Sequence, residues 1–135
     1  MIEIERLLER LAEELRLPHL PEKDQQGSYA LILEPSYKIE LTPLDPGIFM
    51  SSPIGPYPKE GNQEALLIYL MKANLLGQGT GGASLGLNAD ETLLTLSRSL
   101  PFEVSFKEFH DALEDFLNYI DYWKEEIQKL QASFK

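Results

Sequence analysis

The sequence predicts an α+β fold: an antiparallel, twisted sheet with helices packed on it, in the order helix–three strands–helix–two strands–helix. Apolar residues recur at every third or fourth position near both ends of the chain, as they do along one face of a helix. Apolar and polar residues alternate in the run Tyr37–Thr42, as they do along a half-buried strand. Because the 135 residues contain no internal repeat and no long linker, a single domain over residues 1–135 is expected.

The N-terminal part is predicted to hold one helix and three strands. The helix ends before Pro18 and Pro21, because proline breaks a helix, and a tight turn at Pro35-Ser36 joins the first two strands. Pro53 is placed at the end of the third strand, because it has no N–H to donate to a ladder. The predicted bounds are residues 2–16 for the helix and Tyr29–Glu34, Tyr37–Thr42 and Ile48–Ile54 for the strands.

The C-terminal part is predicted to hold a helix, a hairpin and a long final helix. Asn62 caps the middle helix and Gly77 ends it. Ser105 and Glu108 have the spacing of a capping box at the start of the final helix. The predicted bounds are Gln63–Leu76 for the middle helix, residues 83–87 and 92–100 for the strands on either side of a turn at residues 88–91, and Phe106 to Phe134 for the apolar series of the final helix.

The middle helix, EALLIYLMKANLL, is apolar on nearly every side. A surface helix normally keeps one polar face, so this helix is expected to be covered on two sides. In a chain of this size the second cover is expected to be another subunit, which predicts a two-fold homodimer.

Composition narrows the classes of partner. The chain has 22 acidic and 12 basic residues, a formal net charge of −10, and no cysteine. Such acidity disfavours nucleic acid and anionic membranes, which attract basic residues, and the alternative reading of the charge is solubility. A disulfide framework or a thiolate zinc site is excluded, and His19 and His110 are too far apart in sequence to suggest a metal site. Without a basic segment followed by an apolar stretch, or a membrane span, a cytoplasmic location is expected.

Two motifs invite an enzymatic interpretation, and neither is supported by its context. The stretch Gly77–Gly82 satisfies G-x-G-x-x-G, but it follows a helix and precedes a strand, the reverse of a dinucleotide fingerprint. Ser105, His110 and Asp111 match a hydrolase triad by residue type, but all three lie at one helix start and no G-x-S-x-G motif occurs. Pairs of carboxylates four residues apart on the final helix are interpreted as its solvated face. We therefore expect no catalytic, cofactor or metal site.

The region Glu64 to Trp123 carries a family resemblance. An apolar helix leads into the Gly-rich bend GQGTGGASLGLNADETLLTL, then a strand ending at Leu100-Pro101, then a long helix. This arrangement, with the length and acidity of the chain, resembles the class I type III secretion chaperones of the Tir-chaperone (CesT/SycE-like) family. The proline-rich stretch Pro53–Pro58 and the long final helix depart from the family pattern.

The resemblance implies a bacterial, cytoplasmic homodimer that binds the non-globular segment near the N-terminus of one or more secreted effectors and keeps it competent for secretion. It implies no enzymatic activity, no nucleotide and no metal. The ATPase of the secretion machinery is a further candidate partner. The interface is expected on the middle helix and the strand that follows it, at Leu66, Leu67, Leu70 and Leu85.

The effector is predicted to bind in a groove between the first helix and the first sheet edge, by adding a strand and filling pockets with alternate side chains. The candidate groove residues are Leu8, Leu11, Leu15, Ile32 and Phe49. The same residues would also suit the structural core, so both interpretations stay open for each of them. The alternative function is a non-catalytic interaction or regulatory module with the same fold, serving another protein partner.

Overall fold

The computed structural model describes residues 4–33, 36–59, 61, 63–75 and 82–133. Within these ranges the chain forms three helices and five strands in the predicted order. Their bounds are α1 Ile4–Leu15, β1 Tyr29–Leu33, β2 Tyr37–Leu44, β3 Gly47–Pro56, α2 Gln63–Asn74, β4 Ser84–Leu87, β5 Leu93–Leu100 and α3 Phe106–Ser133. The predicted α+β class is confirmed.

The five strands form one sheet in the order β1-β2-β3-β5-β4, so β1 and β4 are its two edges. The pairs β1–β2, β2–β3 and β4–β5 are antiparallel. Leu31 lies opposite Ile39, and Leu41 lies opposite Met50. Because directly opposed residues share a face, this register places buried apolar side chains together on one side of β1–β3.

The chain divides into two compact units. The first contains residues up to Ser51 together with Ser99–Glu114, and the second contains Ser52–Arg98 and the rest of α3. The core of the first unit combines α1, the buried face of β1–β3 and the start of α3. Its most buried side chains are Leu7, Leu8, Leu11, Leu31, Ile39, Leu41, Ile48, Met50 and Phe109.

The second unit packs α2, β4, β5 and the later turns of α3 around its own core. The most buried side chains are Leu66, Leu94, Leu96, Phe116, Ile120, Trp123 and Ile127. Tyr69 of α2 lies edge-on to Trp123, with ring centroids 6.3 Å apart, and its hydroxyl donates to Glu126 Oε1 at 2.9 Å. These contacts fix which side of α2 faces its own chain.

Two local signals are confirmed, the capping box at Ser105 and the turn at Asn88. Glu108 N–H donates to Ser105 Oγ at 3.1 Å, and Ser105 N–H donates to Glu108 Oε1 at 3.0 Å, which is the reciprocal pair of a capping box. In the β4–β5 turn, Asn88 Oδ1 accepts from the N–H groups of Thr92 and Leu93, each at 2.9 Å. Each prediction rested on a rule that acts within a few residues.

Two local features go beyond the sequence prediction. The strand β3 continues past Pro53 to Pro56; its pairing with β2 ends at Ser51, so Pro53 lies beyond the residues that β2 pairs with. Arg16, with φ of 53°, ends α1 before Pro18. The predicted cap Asn62, the turn residue Pro35 and the stretch 76–81, with Gly77, fall outside the described residues.

Candidate protein-binding surfaces

The strand β1 presents an edge that is only partly occupied by the chain itself. Ala30 N–H donates to the Glu22 carbonyl at 3.4 Å, so Ala30 directs its polar groups away from β2. Polar groups of an antiparallel strand point to the same side at every second residue. Ile32 therefore directs its N–H and C=O outward as well, and within the described ranges no backbone group bonds to them there.

An apolar cavity of about 450 Å³ lies beside this edge. One wall is the connection after α1, and the other is β1 itself. The Ile32 side chain is 67% exposed, and Leu20 across the cavity is also exposed. The lining residues are Leu17, Pro18, His19, Leu20, Pro21, Glu22, Ala30, Leu31 and Ile32. An exposed backbone edge next to an apolar cavity is the arrangement that strand addition uses.

The five predicted groove residues do not lie along one continuous groove. Leu8 and Leu11 are 3% and 1% exposed, which places them in the core of the first unit, whereas Leu15 and Ile32 are exposed. Phe49 is half-buried and lies opposite Thr42, on the sheet face that also carries Ile32 but two strands away from it. The core interpretation therefore fits Leu8 and Leu11 best, and contact of any of the five with a partner stays a prediction.

The helix α2 carries an exposed apolar stripe. Ile68, Met71 and Leu75 have the spacing i, i+3, i+7 that aligns side chains on one helix face, and all three are exposed, Met71 by 70%. This α2 stripe is on the side of the helix that its own chain leaves uncovered. Exposed apolar side chains aligned in this way make the stripe a candidate interaction surface.

The predicted interface residues are placed differently from this stripe. Leu66, Leu70 and Leu85 are buried within the single chain, and Leu67 is half-buried. Their contact with a second copy stays a prediction. The stripe was missed because the sequence of α2 is apolar on both sides; the spacing of Ile68, Met71 and Leu75 against Leu66 and Leu70 was the available signal.

The edge strand β4 is closed by a side chain. Asn74, the last residue of α2, donates from Nδ2 to the Leu85 carbonyl at 2.9 Å and accepts from Leu85 N–H at 2.7 Å through Oδ1. The carboxamide thus makes the two bonds that a residue of a neighbouring strand would make. At Leu85 the β4 edge cannot also pair with another strand.

Hydrogen bonding changes the acidity of one group in the second unit. The bond from the Tyr69 hydroxyl to the Glu126 carboxylate raises the pKa of Tyr69 above its ordinary value, and partial burial raises it further. The bond therefore stabilises the neutral phenol and holds α2 against α3.

The residues that resemble a hydrolase triad by type lie at the start of α3 in the first unit. The Ser105 hydroxyl accepts the Glu108 N–H as the helix cap. His110 Nδ1 lies 3.6 Å from Asp111 Oδ1, and its Nε2 lies 3.7 Å from Glu14 Oε2 on α1. His110 thus approaches one carboxylate from its own helix and one from α1, and both carboxylates are exposed.

Two further properties concern the described part of the chain alone. None of its helices combines the length and apolarity needed to cross a bilayer. Within the same ranges, no three His, Asp or Glu side chains come together as a metal-binding group.

Comparison with known proteins finds a sequence relative and solved structures that share the fold of this chain. A Chlamydia pneumoniae protein is 25% identical over 125 residues, which cover 92% of this chain and 95% of that protein. A chain of the ExsC–ExsE complex has a TM-score of 0.75 and 18% identity, covering 90% of this chain and 91% of its own.

Two other solved structures share the fold. A chain from the complex of the Yersinia pestis type III secretion chaperone SycH with a fragment of YscM2 has a TM-score of 0.65 and 19% identity, covering 90% of this chain and 99% of its own. YbjN of E. coli, described as a putative transcription regulator, has a TM-score of 0.63 and 16% identity, covering 93% and 92%.

The sequence profile of the Tir chaperone protein (CesT) family matches residues 6–124, which is most of the chain. The match includes both the β1 edge and the α2 stripe. The chain belongs to the Tir chaperone protein (CesT) family.

Proposed function

We propose that this protein is a bacterial, cytoplasmic type III secretion chaperone that binds the non-globular N-terminal segment of one or more effectors and catalyses no reaction. The observation that carries the proposal is the open β1 edge at Ile32 beside an apolar cavity, in a chain that belongs to the Tir chaperone family. Two of the solved chains with this fold come from chaperone complexes with a bound protein or effector, HopA1–SchA and SycH–YscM2.

The physics of the β1 edge suits an unfolded partner. Main-chain hydrogen bonds to Ile32 do not depend on the partner's sequence. The cavity accepts an apolar side chain from the partner. Burying apolar surface contributes roughly 25 cal/mol per Å², and ordering the disordered segment offsets part of that gain. A net charge of −10 keeps a protein with exposed apolar surfaces soluble.

A measurement with a matched control tests the effector site. The binding partner is isolated from native cytoplasm, identified by mass spectrometry, and its N-terminal segment is expressed for calorimetry. Ile32→Gln should weaken binding while leaving the melting temperature nearly unchanged, because an exposed side chain contributes little to stability. Lys38→Gln is the control, since Lys38 is also exposed and lies directly opposite Ile32 on β2. If the effector segment binds the wild type and Ile32→Gln with equal affinity, the β1 edge is not the effector site.

We further propose that the α2 stripe forms the centre of a two-fold homodimer. A stable interface usually buries more than about 1,000 Å², and Ile68, Met71 and Leu75 supply an apolar centre for it. Met71→Glu should shift the protein to monomer in sedimentation, because the carboxylate would be buried without a partner. Met71→Leu is the control that keeps the stripe apolar. Leu70→Glu should disrupt folding itself, because Leu70 is already buried in its own chain.

A regulatory module is the second candidate function. The likeness in fold to YbjN, described as a putative transcription regulator, supports this candidate. The two functions differ in the partner: a chaperone binds the non-globular segment of a secreted effector, whereas the interaction or regulatory module serves another protein partner. Deletion of the gene should abolish secretion of the bound effector if the protein is a chaperone. The secretion ATPase is a further proposed partner, and its binding would be tested with the chaperone–effector complex.

A further inference from the structure

We propose that Glu22–Asp24 act as a strap that occupies the first half of the β1 edge in the free protein and competes with the effector segment for it. The inference rests on the proposed function, because the effector segment is the competitor. It specifies which residues block the β1 edge in the free protein and must move when a partner binds.

The strap already occupies the position that an added strand would take. Lys23 forms an antiparallel bridge with Tyr29, the first residue of β1. Ala30 N–H donates to the Glu22 carbonyl on the outer side of the strand, at the long distance of 3.4 Å. The edge is therefore able to hold an antiparallel segment, and the chain fills it with three of its own residues.

A turn centred on Asp24 holds the strap in place. Asp24 N–H donates to the Ser28 carbonyl at 2.8 Å. The Asp24 carboxylate accepts through Oδ1 from the N–H groups of Gln26 and Ser28, each at 2.9 Å. The Asp24 side chain thus supports the turn that connects the strap to β1.

Beyond Glu22 the strap separates from β1. The register of the bridge would place Leu20 opposite Ile32, but no backbone bond joins them among the described residues. The space between the two segments is the apolar cavity described above. A partner segment can therefore begin to pair at Ile32 while the strap is still closed.

Little energy holds the strap against β1. The side chains from Glu22 to Gln26 are all exposed, so the strap buries almost no apolar surface. Segments held by a few exposed backbone bonds open at the low end of the range of local unfolding energies. Displacement of the strap would lengthen the available edge from Ile32 alone to Ile32, Ala30 and Ser28.

The outer side of the strap does not accept another strand easily. Glu22 and Asp24 direct their backbone groups toward β1, so Pro21 and Lys23 direct theirs away from it. Pro21 has no N–H to donate, and lysine on an edge disfavours strand pairing. A partner must therefore take the place of the strap instead of extending from it. The partner that fits is an extended, unfolded segment with an apolar side chain for the cavity.

The absence of cysteine allows a direct test. Glu22 and Ala30 are both exposed and lie opposite each other in the register of the bridge, so a Glu22→Cys/Ala30→Cys disulfide would lock the strap. The probe is a synthetic peptide of alternating Val and Ser with a lysine at each end, whose binding is followed by fluorescence anisotropy. The oxidised protein should bind it about tenfold more weakly than the reduced protein, the change expected when one or two exposed backbone bonds are lost.

Asp24→Ala should have the opposite effect, because it removes the turn that supports the strap. Gln25→Ala is the matched control, since Gln25 is an exposed residue of the same turn. Equal peptide binding by the oxidised and reduced forms, or no binding by either form, would overturn the strap.

Hydrogen exchange in the free protein tests the strap without any partner. The Ala30 amide should exchange at least about tenfold faster than the Leu31 amide, which is directed into the sheet, and oxidation of the double variant should slow it. Equal protection of the two amides in the reduced protein would overturn the proposal. Failure of the reduced protein to bind the isolated effector segment would instead refute the proposed function, because exchange and peptide binding do not involve the effector.

Discussion

Replacement of Gly47 by alanine should be among the most damaging single substitutions in the first unit. Gly47 has φ of +111°, and a Cβ built on it would lie 1.9 Å from the Leu100 carbonyl oxygen and 2.9 Å from the Phe102 nitrogen. Both obstacles are backbone atoms, so no side-chain rotation can relieve the contact. The substitution adds a backbone penalty of about 1–3 kcal/mol to an overpacking penalty of about 1–3 kcal/mol.

The summed loss of about 2–6 kcal/mol is a large part of the about 5–15 kcal/mol that stabilises a typical domain. Gly27→Ala is the matched control: Gly27 has φ of +87°, and its nearest neighbour to an added Cβ is the flexible end of Lys23 at 3.9 Å. Urea unfolding of both variants separates the backbone penalty, which they share, from the clash, which only Gly47→Ala has. If Gly47→Ala is no less stable than Gly27→Ala, the close approach to Leu100 does not exist in solution.

Three further predictions concern single side chains that form hydrogen bonds. Ser105→Ala should lower the free energy of unfolding by about 1 kcal/mol through loss of the helix cap, and Ser105→Asp should restore most of that loss. Equal melting temperatures of the two variants would contradict a stabilising role of the cap. Because the pKa of Tyr69 is raised in the folded state, its bond to Glu126 stabilises the fold below about pH 10, and this stability is lost as pH rises above that value. Tyr69→Phe should therefore make the free energy of unfolding depend less on pH in the alkaline range. An unchanged pH dependence would rule this out. Asn74→Ala should cost about 1–3 kcal/mol and raise concentration-dependent association seen by light scattering, whereas unchanged behaviour would mean that water replaces the carboxamide.

The elements that sequence reasoning placed well are those set by local rules. The capping box of Ser105 and Glu108 and the turn at Asn88 depend on residues within five positions of each other, and both are present. The alternation in β2 likewise located its strand, although the strand continues two residues further, to Leu44.

The surfaces were harder to predict, because they depend on which side of an element the rest of the chain covers. Leu70 and Met71 are neighbours in an apolar helix, and it is the packing of α2 within its unit, which includes Tyr69 on Trp123, that leaves Leu70 buried and Met71 exposed. No alternation of apolar and polar residues marks the strap in the sequence, because its bridge to β1 involves the single residue Lys23.

The carboxamide of Asn74 has a consequence for how this protein behaves when it is abundant. Association through open sheet edges is a second-order process, so its rate grows with the square of concentration, and a ladder that keeps extending needs an open edge on both sides of each sheet. With Leu85 already bonded on both its backbone groups, copies cannot join β4 to β4 at that position into an extending ladder. A cell can therefore accumulate the chain without a ladder that extends from sheet to sheet through β4 at Leu85.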